Sequence, residues 1–186
     1  MARLVVLFVA LLAAWPAMAE CPLPKRACEA MCVLKGADAA CATACAECVE
    51  PGAPNLLSTL PAEDVAWLAR TGERRTLAPG ARVIRHGEQV LAVMVVLDGA
   101  LEVTHDGANL AKLDPGAVVG EVTLVDEGLA SATVAAAGDT TVLSIPKPLL
   151  RARLSSDDAF SARFHKALAT VLAQRLRAAN EARSDK

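Results

Sequence analysis

Short apolar runs separated by glycine dominate the middle of the chain. They have the length of β-strands, and no stretch of helical periodicity lies between them. The dipeptide Asp106-Gly107, between two of these runs, is typical of a tight hairpin turn. About seven or eight short strands at regular spacing predict an antiparallel barrel or roll. The predicted strands span residues 75–77, 82–84, 90–97, 100–105, 109–113, 131–136 and 140–145.

Helical patterns flank the predicted strands on both sides. Residues 56–68 form an amphipathic stretch with Pro61 at a plausible helix start. At the other end, Ser155-Ser156-Asp157-Asp158 supplies a cap and an acidic first turn for a C-terminal helix. Its apolar face repeats at steps of three and four residues: Phe160, Phe164, Ala167, Leu168, Val171, Leu172 and Leu176. We expect this face either to pack on the roll or to pair two copies as a homodimer, with Arg175 interrupting the seam.

The first residues have the pattern of a secretory signal peptide. Arg3 precedes an uncharged apolar run, residues 4–15, and Ala17-Met18-Ala19 provides a small-x-small cleavage site. The run is shorter than the roughly 20 residues that a membrane-spanning helix needs. We therefore expect cleavage after Ala19, no membrane association afterwards, and a periplasmic or secreted protein.

All six cysteines lie between residues 21 and 48, and their spacing predicts disulfide bonds. Cys28 and Cys32 are four residues apart, as are Cys41 and Cys45, so each pair lies on one face of a helix. A turn at residues 34–38 folds the two helices into an antiparallel hairpin. The hairpin places Cys28 opposite Cys45 and Cys32 opposite Cys41, and leaves Cys21 and Cys48 for an outer bridge.

The hairpin is similar to the twin Cys-x3-Cys helical hairpins of small oxidised proteins. An alternative from another class stays open, because thiolate-rich helices also bind copper or zinc. Disulfides also explain how a segment too small for its own hydrophobic core stays folded.

A segment rich in proline and glycine, residues 50–55, marks a domain boundary. The predicted fold class is mainly β with flanking helices, an antiparallel β-roll plus a small disulfide-stapled α-hairpin. The predicted organisation is a signal peptide at 1–19, the hairpin at 20–49, a linker at 50–55, the roll with its leading helices at 56–154 and the final helix at 155–186.

Charge and composition exclude some functions. Without residues 1–19, which contain one basic and no acidic residue, 18 basic and 21 acidic residues give a net charge of −3. A weakly acidic chain with 3% aromatic residues has neither the basic surface nor the stacking side chains expected for nucleic-acid binding. The three histidines, His86, His105 and His165, are scattered, so we assign no catalytic or metal-binding residue and expect no enzymatic activity.

Glycines at regular intervals lead into a polar cassette. Gly80, Gly87, Gly99 and Gly116 separate the runs, and Gly120-Glu121 is followed at a distance by Ser131-Ala132-Thr133. Over residues 56–184 this frame resembles the cyclic nucleotide-binding domain of the catabolite-activator family. The regulators of that family continue into a helix-turn-helix, which does not follow here, so we expect no DNA binding.

The resemblance implies a candidate nucleotide site at Gly120, Glu121, Ser131 and Ala132. In the family the glutamate accepts a hydrogen bond from the ribose 2′-hydroxyl, which implies that role for Glu121. A short helix and a hydroxyl residue, here Ser131, donate to the cyclic phosphate, and an arginine one position earlier neutralises it. Ala130 stands at the position of that arginine, and Asp126 and Glu127 add negative charge nearby. Arg82, Arg85 or Lys112 are candidate replacement cations.

The sequence thus predicts an exported, non-enzymatic regulatory or interaction module with degenerate nucleotide binding and a protein partner that it does not identify. One alternative is a genuine sensor of cyclic AMP or cyclic GMP. The other is handling of copper or zinc by the cysteine-rich segment.

Overall fold

The computed structural model describes residues 25–37, 39–45 and 55–184. Its helices are α1 (Lys25–Lys35), α2 (Ala39–Ala44), α3 (Leu56–Thr59), α4 (Ala62–Thr71), α5 (Val122–Val125), α6 (Lys147–Ser156) and α7 (Asp158–Ser184). Its strands are β1 (Glu73–Leu77), β2 (Arg82–Ile84), β3 (Ala92–Asp98), β4 (Leu101–His105), β5 (Ala108–Leu113), β6 (Val118–Val119), β7 (Thr133–Ala136) and β8 (Thr140–Pro146).

The strands form two antiparallel four-stranded sheets, in the orders β1-β8-β3-β6 and β2-β7-β4-β5. This is the β-roll that the sequence predicts. The turn between β4 and β5 is also as predicted, because Asp106 and Gly107 both adopt positive φ, at 49° and 79°. Two adjacent residues with positive φ are what a tight primed hairpin turn requires.

Strand β3 explains why its sequence is apolar without alternation. Val93, Val95 and Leu97 belong to a core shared with the helices, whereas Met94 and Val96 belong to a second core between the two sheets. Because both faces of the strand are covered, every position from Val93 to Leu97 is buried. The two cores therefore lie on opposite faces of one sheet.

The cysteine-rich helices form the predicted hairpin. Disulfides join Cys28 to Cys45 and Cys32 to Cys41, with Cα–Cα distances of 5.7 and 5.8 Å. Both pairings agree with the prediction. The outer Cys21–Cys48 bridge, the signal peptide, the two ends of the 20–49 segment and most of the linker lie outside the described residues.

The hairpin packs directly against the roll. Ala30, Met31 and Leu34 of α1 belong to the same core as α3, α4 and α7. The Lys35 ammonium contacts the Asp98 carboxylate at 2.6 Å, and Arg74 donates to the Leu34 carbonyl. Although residues 20–49 were predicted as a unit apart from the roll, α1 is part of the helical layer that covers it.

The C-terminal region differs from the sequence prediction in one element. Helix α6 was not predicted, and most of it falls within the range predicted for the roll with its leading helices, residues 56–154. The long helix consequently begins at Asp158, where the Asp157 carboxylate accepts a hydrogen bond from the Phe160 amide at 2.9 Å. The predicted boundary at residue 155 therefore falls within α6.

The apolar face of α7 packs on the roll along its first half. Phe160, Phe164, Ala167 and Leu168 are at most 2% exposed, whereas Leu176 is 62% exposed. Pairing of two copies through α7 stays a prediction. No helix among the described residues is both long and apolar enough to cross a bilayer.

Candidate functional site: a pocket between the roll and the C-terminal helix

A cavity of about 510 Å³ lies between the inner surface of the roll, α5 and the far end of α7. This volume is in the range typical of small-molecule sites. Its wall is mainly apolar, with few polar groups, and it contains the four candidate site residues Gly120, Glu121, Ser131 and Ala132. The lining residues are Ile84, Val90, Val103, Leu110, Ala111, Lys112, Leu113, Val119, Gly120, Glu121, Val122, Thr123, Ala130, Ser131, Ala132, Val134, Arg175, Ala178 and Ala179.

Gly120 positions the carboxylate that follows it. Its φ is 80°, and a Cβ atom at this position would collide with the Ala92 carbonyl on the neighbouring strand. Only glycine combines this conformation with so close an approach of two backbones. The chain therefore turns sharply after β6 and directs Glu121 into the start of α5.

The Glu121 side chain is buried and forms an ion pair. The residue is 2% exposed, and its Oε1 accepts a hydrogen bond from Nη1 of Arg175, which reaches down from α7. The other terminal nitrogen, Nη2, donates to the Val118 carbonyl at 2.6 Å. Burial raises the pKa of Glu121 above its usual value, and the Arg175 charge partly opposes that rise.

A second cation lies on the other side of α5. Lys147 is 5% exposed, and its Nζ donates to the Thr123 hydroxyl, which in turn donates to the Gly120 carbonyl at 3.3 Å. Burial lowers the pKa of Lys147, and the neighbouring Arg151 charge lowers it further. Glu121 acts in the opposite direction. The buried carboxylate is thus influenced by two cations from different helices.

The second half of the cassette faces the carboxylate across the cavity. Ala130 is 5% exposed and its backbone is fixed by two hydrogen bonds, from its amide to the Glu88 carbonyl at 2.9 Å and from the Gly87 amide to its carbonyl at 2.8 Å. Only a methyl group therefore lines the pocket at this position. Ser131 is exposed and Ala132 is half-buried.

Comparison with known proteins assigns the β-roll to a family. The family model described as "Cyclic nucleotide-binding domain" matches residues 74–157, and the cassette lies inside that range. The β-roll belongs to the cyclic nucleotide-binding domain family.

Solved structures agree with this assignment. The Thermus thermophilus catabolite activator protein is 30% identical with a TM-score of 0.58, and the match covers 69% of this chain and 61% of that one. The N-terminal domain of a Streptomyces coelicolor A3(2) transcriptional regulator is 28% identical with a TM-score of 0.53, covering 70% of this chain and 92% of that one. A cyclic nucleotide-binding domain from Methylobacillus flagellatus KT, 19% identical, supports the fold alone, with a TM-score of 0.59 and coverage of 66% and 71%.

Among the candidate replacement cations of this cyclic nucleotide-binding domain, only Lys112 lines the pocket. Its Nζ is 3.7 Å from the Asp114 carboxylate. Arg82 and Arg85 line a separate cavity of about 270 Å³. The structure therefore removes two of the three candidates from the wall of this pocket.

The two acidic residues that the sequence placed beside the site do not line it. Asp126 accepts a hydrogen bond from the Gly128 amide at 3.0 Å, and the Glu127 carboxylate is 3.4 Å from the Arg151 guanidinium. Neither residue is part of the pocket wall. The charge of Asp126 still raises the pKa of the nearby Lys147.

The histidines are less scattered than the sequence suggests. The rings of His86 and His105 lie 4.8 Å apart, edge to face, in the smaller cavity, and Nε2 of His105 is 3.4 Å from the Asp106 carboxylate. His165 lies elsewhere, on α7, hydrogen-bonded to the Ser161 carbonyl.

Arg175 is the pocket residue that sequence reasoning missed. It was interpreted as an interruption of an apolar seam. Its position, four residues after the buried Val171, places it on the face of α7 that is directed toward the roll. An arginine on an apolar helix face was the available signal, because such a side chain needs a buried or half-buried anion as its partner.

Proposed function

We propose that this protein is an exported, non-enzymatic regulatory module in which an internal ion pair occupies the nucleotide site. The observation that carries the proposal is the contact between Arg175 and Glu121. The carboxylate to which the family resemblance gives the ribose contact is already bonded to the protein's own arginine. A cyclic nucleotide therefore competes with Arg175 for this carboxylate.

The missing phosphate contact acts in the same direction. A charge-assisted hydrogen bond contributes about 1.5–3 kcal/mol, so replacing a bidentate arginine by Ala130 removes about 3 kcal/mol or more. This corresponds to a loss of at least about two orders of magnitude in affinity. Together the two features favour weak binding of cyclic AMP and cyclic GMP.

Isothermal titration calorimetry of the purified protein with cyclic AMP and cyclic GMP tests the proposal. We expect no binding at micromolar nucleotide by the natural protein. Arg175→Met frees Glu121 and should strengthen any residual binding, whereas Arg175→Met combined with Glu121→Ala should abolish that gain. Micromolar binding by the natural protein that Glu121→Ala removes would contradict the proposal and establish a nucleotide sensor.

The sensor remains the second candidate because of one observation. Lys112 and Arg175 both line the cavity, so two cations are available on its wall to meet an anionic ligand. In a nucleotide sensor, Arg175 would break its hydrogen bond with Glu121 when the nucleotide binds and would donate to the phosphate instead. Arg175→Met would then weaken nucleotide binding, which is the opposite of the result expected from the occupied site.

A regulatory module also needs a surface that contacts a partner. Leu110, Val122 and Leu176 are 61%, 41% and 62% exposed, and the first two line the pocket. We infer that a partner protein contacts the roll near these residues. A second copy of this chain is one candidate for that partner. Analytical ultracentrifugation of the natural protein and of Leu176→Ser measures whether that partner is a second copy.

A further inference from the structure

Three sulfur atoms of the hairpin lie close together, and the fourth is bonded to one of them. The Cys28–Cys45 and Cys32–Cys41 bridges lie side by side, and the Sγ atoms of Cys32 and Cys45, which belong to different bridges, are 3.6 Å apart. The Sγ atoms of Cys28, Cys32 and Cys45 lie within 4.8 Å of one another, and Cys41 is bonded to one of them. Within the described ranges 25–37, 39–45 and 55–184, this is the only such group of metal-binding side chains.

The distance between the bridges is close to that of a tetrahedral thiolate site. A Zn–S bond of about 2.3 Å places the sulfurs of a tetrahedral site about 3.8 Å apart. The sulfurs within each bridge must separate from about 2.0 Å to that distance once the covalent bond is broken. This movement requires rotation of the cysteine side chains about χ1.

We propose that the reduced hairpin binds one Zn²⁺ ion through the thiolates of Cys28, Cys32, Cys41 and Cys45. The disulfide-bonded hairpin is then the metal-free form of the same site. Four thiolates with no oxygen ligand select a borderline or soft cation and disfavour Mg²⁺ and Ca²⁺. The site is independent of the nucleotide pocket and of the function proposed for it.

Conversion of the disulfide-bonded hairpin into the zinc-bound hairpin conserves atoms and electrons. An external dithiol reduces each disulfide with two electrons and two protons, and is itself oxidised to a disulfide. Zn²⁺ then replaces the four thiol protons, which pass to solvent. The zinc ion changes neither its charge nor its oxidation state, so the electrons come from the dithiol alone.

The net charge of helix α1 is opposite in sign to that of the doubly negative tetrathiolate centre that results. Helix α1 carries three basic residues, Lys25, Arg26 and Lys35, and one acidic residue, Glu29. The buried face of α1, which includes Ala30, Met31 and Leu34, lies in the main core. The helix that carries Cys28 and Cys32 therefore has contacts that hold it in place without either bridge.

Zinc uptake by the oxidised and the reduced protein is the first test. After reduction with dithiothreitol, anaerobic desalting and addition of ZnCl₂, we expect one zinc ion per chain with sub-micromolar affinity. The oxidised protein should bind none. Cys28→Ser combined with Cys45→Ser should lose the reduced-state site, whereas Cys21→Ser combined with Cys48→Ser, which keeps all four ligands, should retain it. The reverse pattern in the two double variants would overturn the proposal.

A second measurement covers the case in which reduction unfolds the hairpin. Alkylation of the reduced chain with iodoacetamide, followed by mass spectrometry of its peptides, reports each thiol separately. Zinc should protect Cys28, Cys32, Cys41 and Cys45 together, at least about tenfold, because coordinated thiolates are poorly accessible nucleophiles. Equal alkylation rates with and without saturating zinc would show that these thiols do not form a metal site.

Discussion

Two buried carboxylates, Asp64 and Glu121, are each paired with an arginine of α7, yet their surroundings differ. Asp64 is fully buried among the helices, and its two oxygens accept from Nε and Nη2 of Arg163 at 2.7 and 3.0 Å. Glu121 is equally buried, but one side of its ion pair with Arg175 opens into the 510 Å³ cavity. Neither Asp64 nor Arg163 lines any of the three cavities described for this structure, whereas Glu121 and Arg175 both line the largest of these three.

The partners of the two carboxylates also differ. Arg153 lies 3.8 Å from Asp64, and its guanidinium stacks over the rings of Trp67 and Phe160, so a second cation reinforces the first pair. Arg175 instead divides its hydrogen bonds between Glu121 and a backbone carbonyl. We conclude that the Asp64 pair fixes α4 and α6 to α7, and that the Glu121 pair is the exchangeable one.

The largest expected effect comes from removing Asp64. Asp64→Ala leaves Arg163 and Arg153 without their buried anion, and loss of one partner of a buried ion pair costs about 3–5 kcal/mol. Urea unfolding measures this loss. Glu121→Ala should cost clearly less, because Arg175 keeps its hydrogen bond to the Val118 carbonyl. Similar losses in the two variants would show that the pairs do not differ in the way we infer.

Replacing each of the two arginines by methionine is expected to have a smaller effect on stability and sharpens the comparison. Arg163→Met should destabilise more than Arg175→Met, because it leaves the fully buried Asp64 without two hydrogen bonds. Arg175→Met should destabilise by about 1 kcal/mol, the ordinary net value of a hydrogen bond, because water in the cavity can solvate Glu121. Thermal unfolding at neutral pH compares them. A larger loss for Arg175→Met would mean that the pocket pair is structural.

The two pairs also differ in how much of them the sequence could reveal. Neither arginine partner was predicted, because each ion pair joins residues far apart in the chain: 99 positions for Asp64 and Arg163, and 54 for Glu121 and Arg175. The position of Glu121 itself was predictable, since the glycine frame aligns with the family.

Local spacing was more informative than long-range pairing. The Cys28–Cys45 and Cys32–Cys41 bridges followed from the four-residue spacing on two short helices, which is a property of the helix itself. The docking of α1 on the roll did not follow from local spacing, because α1 shares its core with segments that come much later in the chain. Helix α6 was not predicted, although Pro148 in its first turn is a local signal of a helix start.

Restoring the missing phosphate contact should have an intermediate effect, on binding rather than on stability. Ala130→Arg supplies the cation that Glu121 and Ser131 lack for a complete nucleotide site, so cyclic AMP binding should tighten by about 1.5 kcal/mol, about tenfold. Titration calorimetry in the Arg175→Met background, where Glu121 is free, gives the most sensitive measurement.

Ala130→Lys is the matched control, because it adds the charge without the bidentate geometry and should gain less. No binding at millimolar nucleotide by a folded Ala130→Arg variant would mean that the pocket has been remodelled for another ligand.

The smallest expected effect is a pH dependence of stability that arises from the Glu121 carboxylate. Because burial raises the pKa of Glu121, the folded protein holds this proton to higher pH than the unfolded chain. The contribution to stability is complete below the ordinary pKa of 4.5 and is lost as pH rises through the raised value. One proton limits the slope to about 1.4 kcal/mol per pH unit.

Glu121→Gln should remove this slope when unfolding is followed between the two pKa values. Asp157 provides the control of opposite sign, since its hydrogen bond from the Phe160 amide lowers its pKa and its contribution is lost as pH falls. A natural protein and a Glu121→Gln variant with parallel profiles above pH 4.5 would show that the Arg175 contact compensates the burial of the carboxylate, and that the Glu121 pair is as firmly closed as that of Asp64.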